Sequence, residues 1–402
     1  MDILVVTQYF YPENFKINDL VESFVNRGHR VTVLTSKPNY PKGEFYEGYK
    51  FSGIVKEKYN GADIIRVPQF RRKKTGSVRL ILNYLSFAFF ASLYVLRHRI
   101  NCDVTFCYEV SPITQMYPAL LHKKLYKSKA FIWVQDLWPE SISSVGKLRN
   151  KYVLFVLDKM VKSIYHGCDG IFVQSQAFIK SILPKCPDEN KICYAPNWAE
   201  DIFTNIECSE SKLETDLPEG FKIMFAGNVG AAQDFSSILR AASLTKDIKN
   251  IHWIILGDGR YLPKAKVMAK EYDLSETVHF LGRYPMSWMP LFYKQADVML
   301  IALKNEYIFS LTIPSKTQTY MAAGKPILTM INGVCNDVIK EAGCGLTADS
   351  GDFRKLAENA IALSEKTSKE LYQIGKRGQL YYNSHFDKNL IVDKIIQTMS
   401  EK

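Results

Sequence analysis

Three stretches combine residue types and spacings that suit work on an anionic, hydroxyl-rich ligand. The first is Ser310-Leu311-Thr312-Ile313-Pro314-Ser315-Lys316, running on into Thr317–Ala323 and Gly324-Lys325-Pro326. Hydroxyl side chains around a proline predict a loop, a helix starting near Pro314 and a glycine stop. Free N–H groups at a helix N-terminus, with hydroxyls beside them, bind anions. Lys316 puts a full positive charge in the first turn, against the helix dipole, which is unfavourable until an anion is bound. A diphosphate meets that condition. The plain alternative is a lysine facing solvent.

The second stretch is Asp136-Leu137-Trp138-Pro139-Glu140, which closes the apolar run Phe131–Val134. Ligands of doubly wound sheets bind at the carboxyl ends of strands. Asp136 and Trp138 there offer a carboxylate and an indole to a sugar. Equally, an Asp in this place can cap the next helix and the Trp can fill the core. Glu13 and Asn14, in the loop after the first apolar run, are further candidates. The third stretch is a pair of glycine turns, Gly227-Asn228-Val229-Gly230 and Gly257-Asp258-Gly259, each directly after an apolar run. Glycine there allows close backbone approach to a ligand. Neither turn makes G-x-G-x-x-G, and G-x-x-x-x-G-K-[ST] does not occur, so neither a dinucleotide fingerprint nor a P-loop is present. Arg283 and Thr319 complete the set of candidate ligand-binding residues in this half of the chain.

A fourth segment carries charge rather than chemistry. Ile64–Cys102 contains no Asp or Glu; Arg66, Arg71, Arg72, Lys73, Lys74 and Arg79 precede the apolar run Leu80–Leu96, and Arg97 and Arg99 follow it. Seventeen residues stand at the lower limit for a membrane span, and Asn83, Ser86 and Ser92 weaken that reading. Two others stand beside it. One is a core helix. The other is a helix lying in the headgroup region of an anionic membrane, with Arg71, Arg72, Lys73 and Lys74 as its charges and Phe87, Phe89 and Phe90 as its apolar contacts.

The elements that position these residues follow from periodicity. Short runs rich in Val, Ile and Phe recur at Ile3–Val6, Val31–Thr35, Ile64–Val67, Val104–Tyr108, Phe131–Val134 and Ile171–Val173. A second series lies at Lys222–Ala226, His252–Leu256, Val278–Leu281, Val298–Ala302, Pro326–Met330 and Gly345–Thr347. Near-continuous apolar strands separated by helix-length amphipathic stretches mean parallel sheet buried on both faces. Two series predict two doubly wound α/β domains, residues 1–199 and 221–385. Glu200–Gly220, with seven acids and one Lys, reads as the linker. Residues 386–402 form a C-terminal helix that can pack back on the first domain.

Composition narrows the function classes. The 402 residues are 47% hydrophobic, too apolar for a disordered chain. The net charge of +11 is one-sided: residues 1–199 hold 28 Lys and Arg against 16 Asp and Glu, and the rest hold 24 against 25. A basic half implies an anionic partner, whether nucleic acid, phosphorylated substrate or anionic membrane, unless it is only a solvated face. The eight Cys and seven His are dispersed, without zinc spacing, which points to reduced thiols and a cytoplasmic protein with no metal. MDILVVTQYF has no basic n-region and reads as no signal peptide.

The motifs Phe10–Glu13 (FYPE), RGHRVTVLT at 27–35, PNYPKGEFYEGY at 38–49, DLWPE at 136–140, Pro196–Trp198, FAGNVGAAQ at 225–233, LGDG at 256–259 and IPSKTQTYMAAGKPIL at 313–328 span nearly the whole sequence. Through them the chain resembles bacterial glycosyltransferases of family 4, of GT-B architecture, and among these the O-antigen and capsule transferases of the WbuB type, L-fucosamine transferases. The resemblance implies a nucleotide-sugar donor, UDP-linked, in the second domain and a polyprenyl-diphosphate-linked acceptor on the first. It further implies retention of anomeric configuration, no metal or other cofactor, and a peripheral place on the cytoplasmic face of the plasma membrane. Family members often carry two Glu where this chain has Leu311 and Thr319, and an Arg and a Lys where it has Asn228 and Gln233. Two cations for the leaving group are thus absent, and Lys316 is the replacement this sequence offers. Two other functions stay open: a sugar-nucleotide 2-epimerase of similar fold, and a nucleic-acid-binding protein. No nucleic-acid module is visible, and the cations cluster beside a Phe-rich run, which argues against the second.

Overall fold

Parallel strands form where the apolar runs lie. In the computed structural model, which describes residues 1–72, 77–144, 150–204, 206, 215–248 and 250–402, the chain divides into two units. One is Met1–Pro196 with Ile391–Lys402, the other Asn197–Leu390. The sequence-predicted linker at 200–220 therefore does not begin outside the folded chain: Ala199, Phe203 and Ile206 are buried in a core of the second unit.

The first unit holds β1 (Asp2–Val6), β2 (Arg30–Ser36), β3 (Val55–Tyr59), β4 (Ala62–Val67), β5 (Val104–Glu109), β6 (Lys129–Val134), β7 (Gly170–Val173) and β8 (Ile192–Tyr194). Their order is β3-β4-β2-β1-β5-β6-β7-β8. All pairs are parallel except β3 with β4. The chain winds outward from β1 to β2 and β4, then returns to start again at β5 on the other side of β1. That reversal is a topological switch point, where strand ends open a crevice. Ile3 to Val6 are all buried, as a strand covered by helices on both faces requires.

The second unit holds β9 (Phe221–Ala226), β10 (Ile251–Leu256), β11 (Val278–Gly282), β12 (Val298–Ala302), β13 (Ile327–Met330) and β14 (Gly345–Ala348), all parallel. The order β11-β10-β9-β12-β13-β14 puts the switch point between β9 and β12. Its two layers of core, one on each face, are built around Trp253, Ile223 and Leu300 and around Met224, Tyr320 and Ile339.

The basic-apolar segment is a helix, Ser77–Arg97, long and apolar enough by composition to cross a membrane. One side belongs to the first unit's core: Phe87, Ala91, Tyr94 and Val95 are buried, and Asn83 is held by Gln8 Nε2, which donates to its Oδ1 at 2.8 Å. Phe87, expected on the lipid-facing set, is fully buried and belongs to no surface. The other side exposes Val78, Ile81, Leu82, Leu85, Phe89 and Leu96. The last helix, Lys388–Glu401, buries Ile391, Val392, Ile395 and Met399, and Asp393 pairs with Arg27 at 2.7 Å within the first unit.

Candidate functional site

In the second unit, the β9 and β10 turns and the start of the helix Ser315–Ala322 meet at the switch point. Pro314 is the residue before this helix, where its sequence predicted the start. Lys316 in the first turn reaches back toward β9, where its Nζ stands 3.6 Å from the centroid of the Phe225 ring. Among the described residues it has no hydrogen-bond or ion-pair partner. Part of its surface stays accessible, yet burial lowers its pKa to about 7. An unfilled ammonium on an aromatic face, beside main-chain turns, is a receptor for an anion.

Glycine makes this possible at two places. Gly227 has φ +138°, and a Cβ there would lie 2.9 Å from Lys316 Nζ. Gly257 has φ +141°, and its Cβ would fall 1.8 Å from the Gly227 carbonyl oxygen. The turns are knit together by Gly227 N donating to Leu256 O at 2.8 Å and Val229 N to Asp258 O at 2.9 Å. Asn228 is exposed above them and Arg283 is exposed after β11.

The hydroxyls expected to greet the anion are engaged locally. Ser310 Oγ donates to Tyr307 O, Thr312 Oγ1 to Ile308 O and Thr319 Oγ1 to Ser315 O, at 2.8, 2.9 and 3.1 Å. Each oxygen still has lone pairs, but its proton is committed in this state. Thr319 is buried on its helix, Leu311 is half-buried, and Ser315 is exposed at the helix start.

In the first unit, the carboxyl ends of β1, β5 and β6 converge. Asp136 is half-buried, and its Oδ2 accepts from Ser111 N at 2.9 Å and Ser111 Oγ at 2.7 Å. Trp138 is buried and its Nε1 donates to the same Ser111 Oγ at 3.1 Å, so the indole braces Asp136 through Ser111. Glu13 is also buried. Its Oε1 accepts from Asn39 N at 2.7 Å and Tyr40 N at 2.6 Å, and its Oε2 from Phe10 N at 3.3 Å. Burial pushes its pKa up to about 7 despite those three donors. It ties two loops together, while its neighbour Asn14 is exposed.

Arg72 lies over the Tyr40 ring at 5.5 Å and Arg71 pairs with Glu44, so both have protein partners. Lys73 and Lys74 lie outside the described residues. Phe89 is exposed and Phe90 half-buried. Two residues at these sites, Ser111 and Glu109, escape a reading of motifs; Phe225 opens the FAGNVGAAQ motif, but its place under Lys316 does not follow from it. Glu109 had a signal, being the one carboxylate that ends an otherwise apolar strand, VTFCYE. Among the described residues, no three His, Cys, Asp or Glu side chains gather as metal ligands would.

Residues 210–380 match the family described as Glycosyl transferases group 1. The chain is 24% identical over 340 residues, 81% of its length and 82% of the relative's, to "Putative colanic acid biosynthesis glycosyl transferase WcaI" of Escherichia coli (strain K12). Among solved structures it is similar to sucrose-phosphate synthase from Thermosynechococcus elongatus, with TM-score 0.75 and 12% identity over 100% of this chain and 99% of that one. It is also similar to HepE of Anabaena in complex with UDP, with TM-score 0.70 and 12% identity over the whole of both chains. The fold is GT-B, with two Rossmann-like parallel-sheet domains.

Proposed function

We propose that this chain is a retaining, metal-independent glycosyltransferase. It moves a sugar from a UDP-linked donor to a saccharide on polyprenyl diphosphate, at the cytoplasmic face of an anionic inner membrane, in O-antigen or capsule assembly. N-acetyl-L-fucosamine is the sugar that the resemblance to WbuB-type transferases favours. The observation that carries the reading is Lys316, a partnerless ammonium over Phe225 at the β9–β12 switch point, inside the segment that matches the glycosyl transferases. The UDP in HepE and the polysaccharide named for WcaI support the donor class and the product class.

Glycosyl transfer needs stabilisation of a departing diphosphate. Lys316 and the main-chain N–H groups at the start of Ser315–Ala322 supply it as fixed electrostatics that need no reorganisation. Binding the diphosphate also satisfies the charge that burial penalises in the free protein, so donor binding and Lys316 protonation are coupled. In a retaining reaction of this type the departing phosphate faces the cationic sugar and takes the acceptor's proton, so no protein nucleophile is required. Asp136 then holds a sugar hydroxyl.

The test is transfer of radiolabel from a panel of nucleotide sugars into lipid-extractable product. Activity surviving excess chelator fits this mechanism; loss restored by Mg²⁺ or Mn²⁺ does not. Label appearing only as free sugar, with no acceptor required, would make the chain an epimerase instead.

A further inference from the structure

Glu109 is the last residue of β5, the strand that begins the second half of the first sheet, next to β1. It is fully buried, and neither of its carboxyl oxygens has a hydrogen-bond partner among the described residues. An ionised carboxylate so placed would be very costly. Its main chain is nonetheless well anchored: Gln135 N donates to Glu109 O at 2.8 Å, and Glu109 is in register with Val134 of β6. Two residues beyond Val134 stands Asp136, whose Oδ2 is clasped by Ser111, itself two residues beyond Glu109. The two carboxyl groups thus sit on neighbouring strand ends. One is roofed over; the other is half open and held by one oxygen.

We propose that Glu109 and Asp136 act as a pair that holds one proton, Glu109 as the neutral acid and Asp136 as the carboxylate that accepts a hydrogen bond from a hydroxyl of the sugar acceptor. Asp136 Oδ1, which has no donor among the described residues, is the atom left for that hydroxyl. The groups facing Glu109 agree with this division. Burial raises its pKa well above the carboxylate range and the Asp136 charge adds to the effect, while the Asp136 main-chain N–H, nearby but outside hydrogen-bond geometry, opposes it in part. Its other titratable neighbours are Tyr108 and Cys107 on its own strand, Tyr165 from the helix Lys151–Gly167 and Tyr84 from Ser77–Arg97, all held neutral. Arg72 is the cation that acts on Tyr84.

Glu109 is a positioning residue here. By staying protonated it leaves Asp136 the single negative charge of the pair, and it keeps a second carboxylate from repelling that charge. When Glu109 ionises at high pH, the pair carries two charges at adjacent strand ends and Asp136 loses its defined role. The price of the arrangement is stability: the native state binds a proton at Glu109 that the unfolded chain releases above the ordinary carboxyl pKa, so this residue destabilises the fold as pH rises from about 4.5.

The role of Asp136 toward an acceptor rests on the proposed transferase reading, but the protonated state of Glu109 beside Asp136 does not, and the two are tested separately. Thermal unfolding of the full chain without substrate is measured from pH 4.5 to 8 for wild type, Glu109→Gln, Asp136→Asn and the double variant. Glu109→Gln should raise Tm at pH 8, with the gain shrinking toward pH 4.5. In the Asp136→Asn background that gain should be smaller, the coupling expected of a pair. Glu109→Met, apolar and of similar length, should repeat the pattern if Gln folds poorly. A pH-independent effect, or one unchanged by Asp136→Asn, overturns the pair.

In transfer assays Glu109→Gln should keep kcat at pH 7 within about threefold and lack the alkaline fall of the wild type, while Asp136→Asn loses about 100-fold. A Glu109→Gln loss as large as that of Asp136→Asn would show that Glu109 is needed ionised, and the assignment would fail. Should no donor support transfer at all, the proposed function falls while the unfolding comparison still decides the pair.

Discussion

The Lys316 ammonium and the Phe225 ring face each other at 3.6 Å across the β9–β12 switch point, with Gly227 leaving the gap they share. The ring offers the cation weak electrostatic attraction and no competing hydrogen bond. The charge is therefore available to a ligand. Negative charge on the leaving oxygen grows in the transition state, so a fixed cation should help kcat more than donor binding. Lys316→Ala should lower kcat roughly 100-fold or more, by analogy with loss of one preorganised donor. Lys316→Arg should recover only part, since a planar guanidinium does not fit where a point charge did. The neighbouring Thr317 is buried with its Oγ1 3.4 Å from Cys335 Sγ and cannot be changed without cost, so Lys340→Ala, at an exposed lysine, serves as the control. A raised donor KM with intact kcat would assign Lys316 to binding alone.

Burial brings the Lys316 pKa down to about 7, and the sign of its effect on stability follows. The unfolded chain keeps this lysine protonated up to about pH 10.4. Between those values the unfolded state binds the extra proton, so this residue's contribution improves as pH rises from 7 to 10 and is worst below 7. Lys316→Met should raise the Tm of the ligand-free protein most at pH 6 and least near pH 10. The diphosphate favours the ammonium, so donor affinity should fall as pH rises above about 7. Calorimetry in buffers of different ionisation enthalpy should show proton uptake on nucleotide binding at pH 8. Binding without uptake at that pH would mean the ammonium is already fully charged in the free protein.

Both the Lys316 loop and the two-domain organisation are legible in the sequence, for different reasons. Parallel strands buried on both faces are continuous apolar runs, so Ile3–Val6 and Val298–Ala302 announce themselves. β3 (VKEKY) does not, because an antiparallel edge strand alternates and half of it faces water. β8 (ICY) is too short to stand out. The motif Ile313–Lys316 gives the helix start, but that Phe225 lies under the lysine is a fact of chain topology, 91 residues away in sequence. Glu109 hides behind an apolar run whose pattern ends at Tyr108. Phe87 and Phe89 are two residues apart and differ completely in exposure, because a helix turns them to opposite sides. The steps Ile81, Leu85, Phe89 and Asn83, Phe87, Ala91, each four residues apart, separate the exposed side from the core side.

Gly257 and Gly227 should differ in tolerance. A methyl group at 227 meets the end of a flexible lysine, which can swing aside; one at 257 meets a main-chain carbonyl that cannot. Gly257→Ala should cost about 2 kcal/mol or more of stability, from strain and overpacking together. Gly227→Ala should cost less stability and more activity, since the displaced group is Lys316. Chemical denaturation of both variants beside their kcat values checks the contrast. Equal destabilisation of the two would mean that the turns, not the lysine, dominate the response at 227.

The proposed peripheral membrane attachment is tested at the helix Ser77–Arg97. Its outer side carries Val78 at 70% exposure and Phe89 at 62%, with Ile81, Leu82, Leu85 and Leu96 also exposed, at helical spacing. Arg79, Arg97 and Arg99 are exposed beside this apolar side. An apolar stripe with cations and no acid on it suits insertion at the headgroup boundary of anionic lipid. Arg71 and Arg72 have protein partners, so replacing them should matter less than a bare charge count implies. Leu85→Gln with Phe89→Gln should weaken binding to anionic vesicles by roughly 1 kcal/mol or more per side chain, as lost apolar burial. Arg79→Ser with Arg97→Ser should lose about 1 kcal/mol per charge, and only when the vesicles are anionic. Leu390→Gln, exposed in the second unit, is the control and should leave binding unchanged. Sedimentation with anionic and neutral vesicles at two salt concentrations separates the two contributions. Retention of the Leu85/Phe89 variant at wild-type levels on anionic vesicles would remove this helix as the anchor.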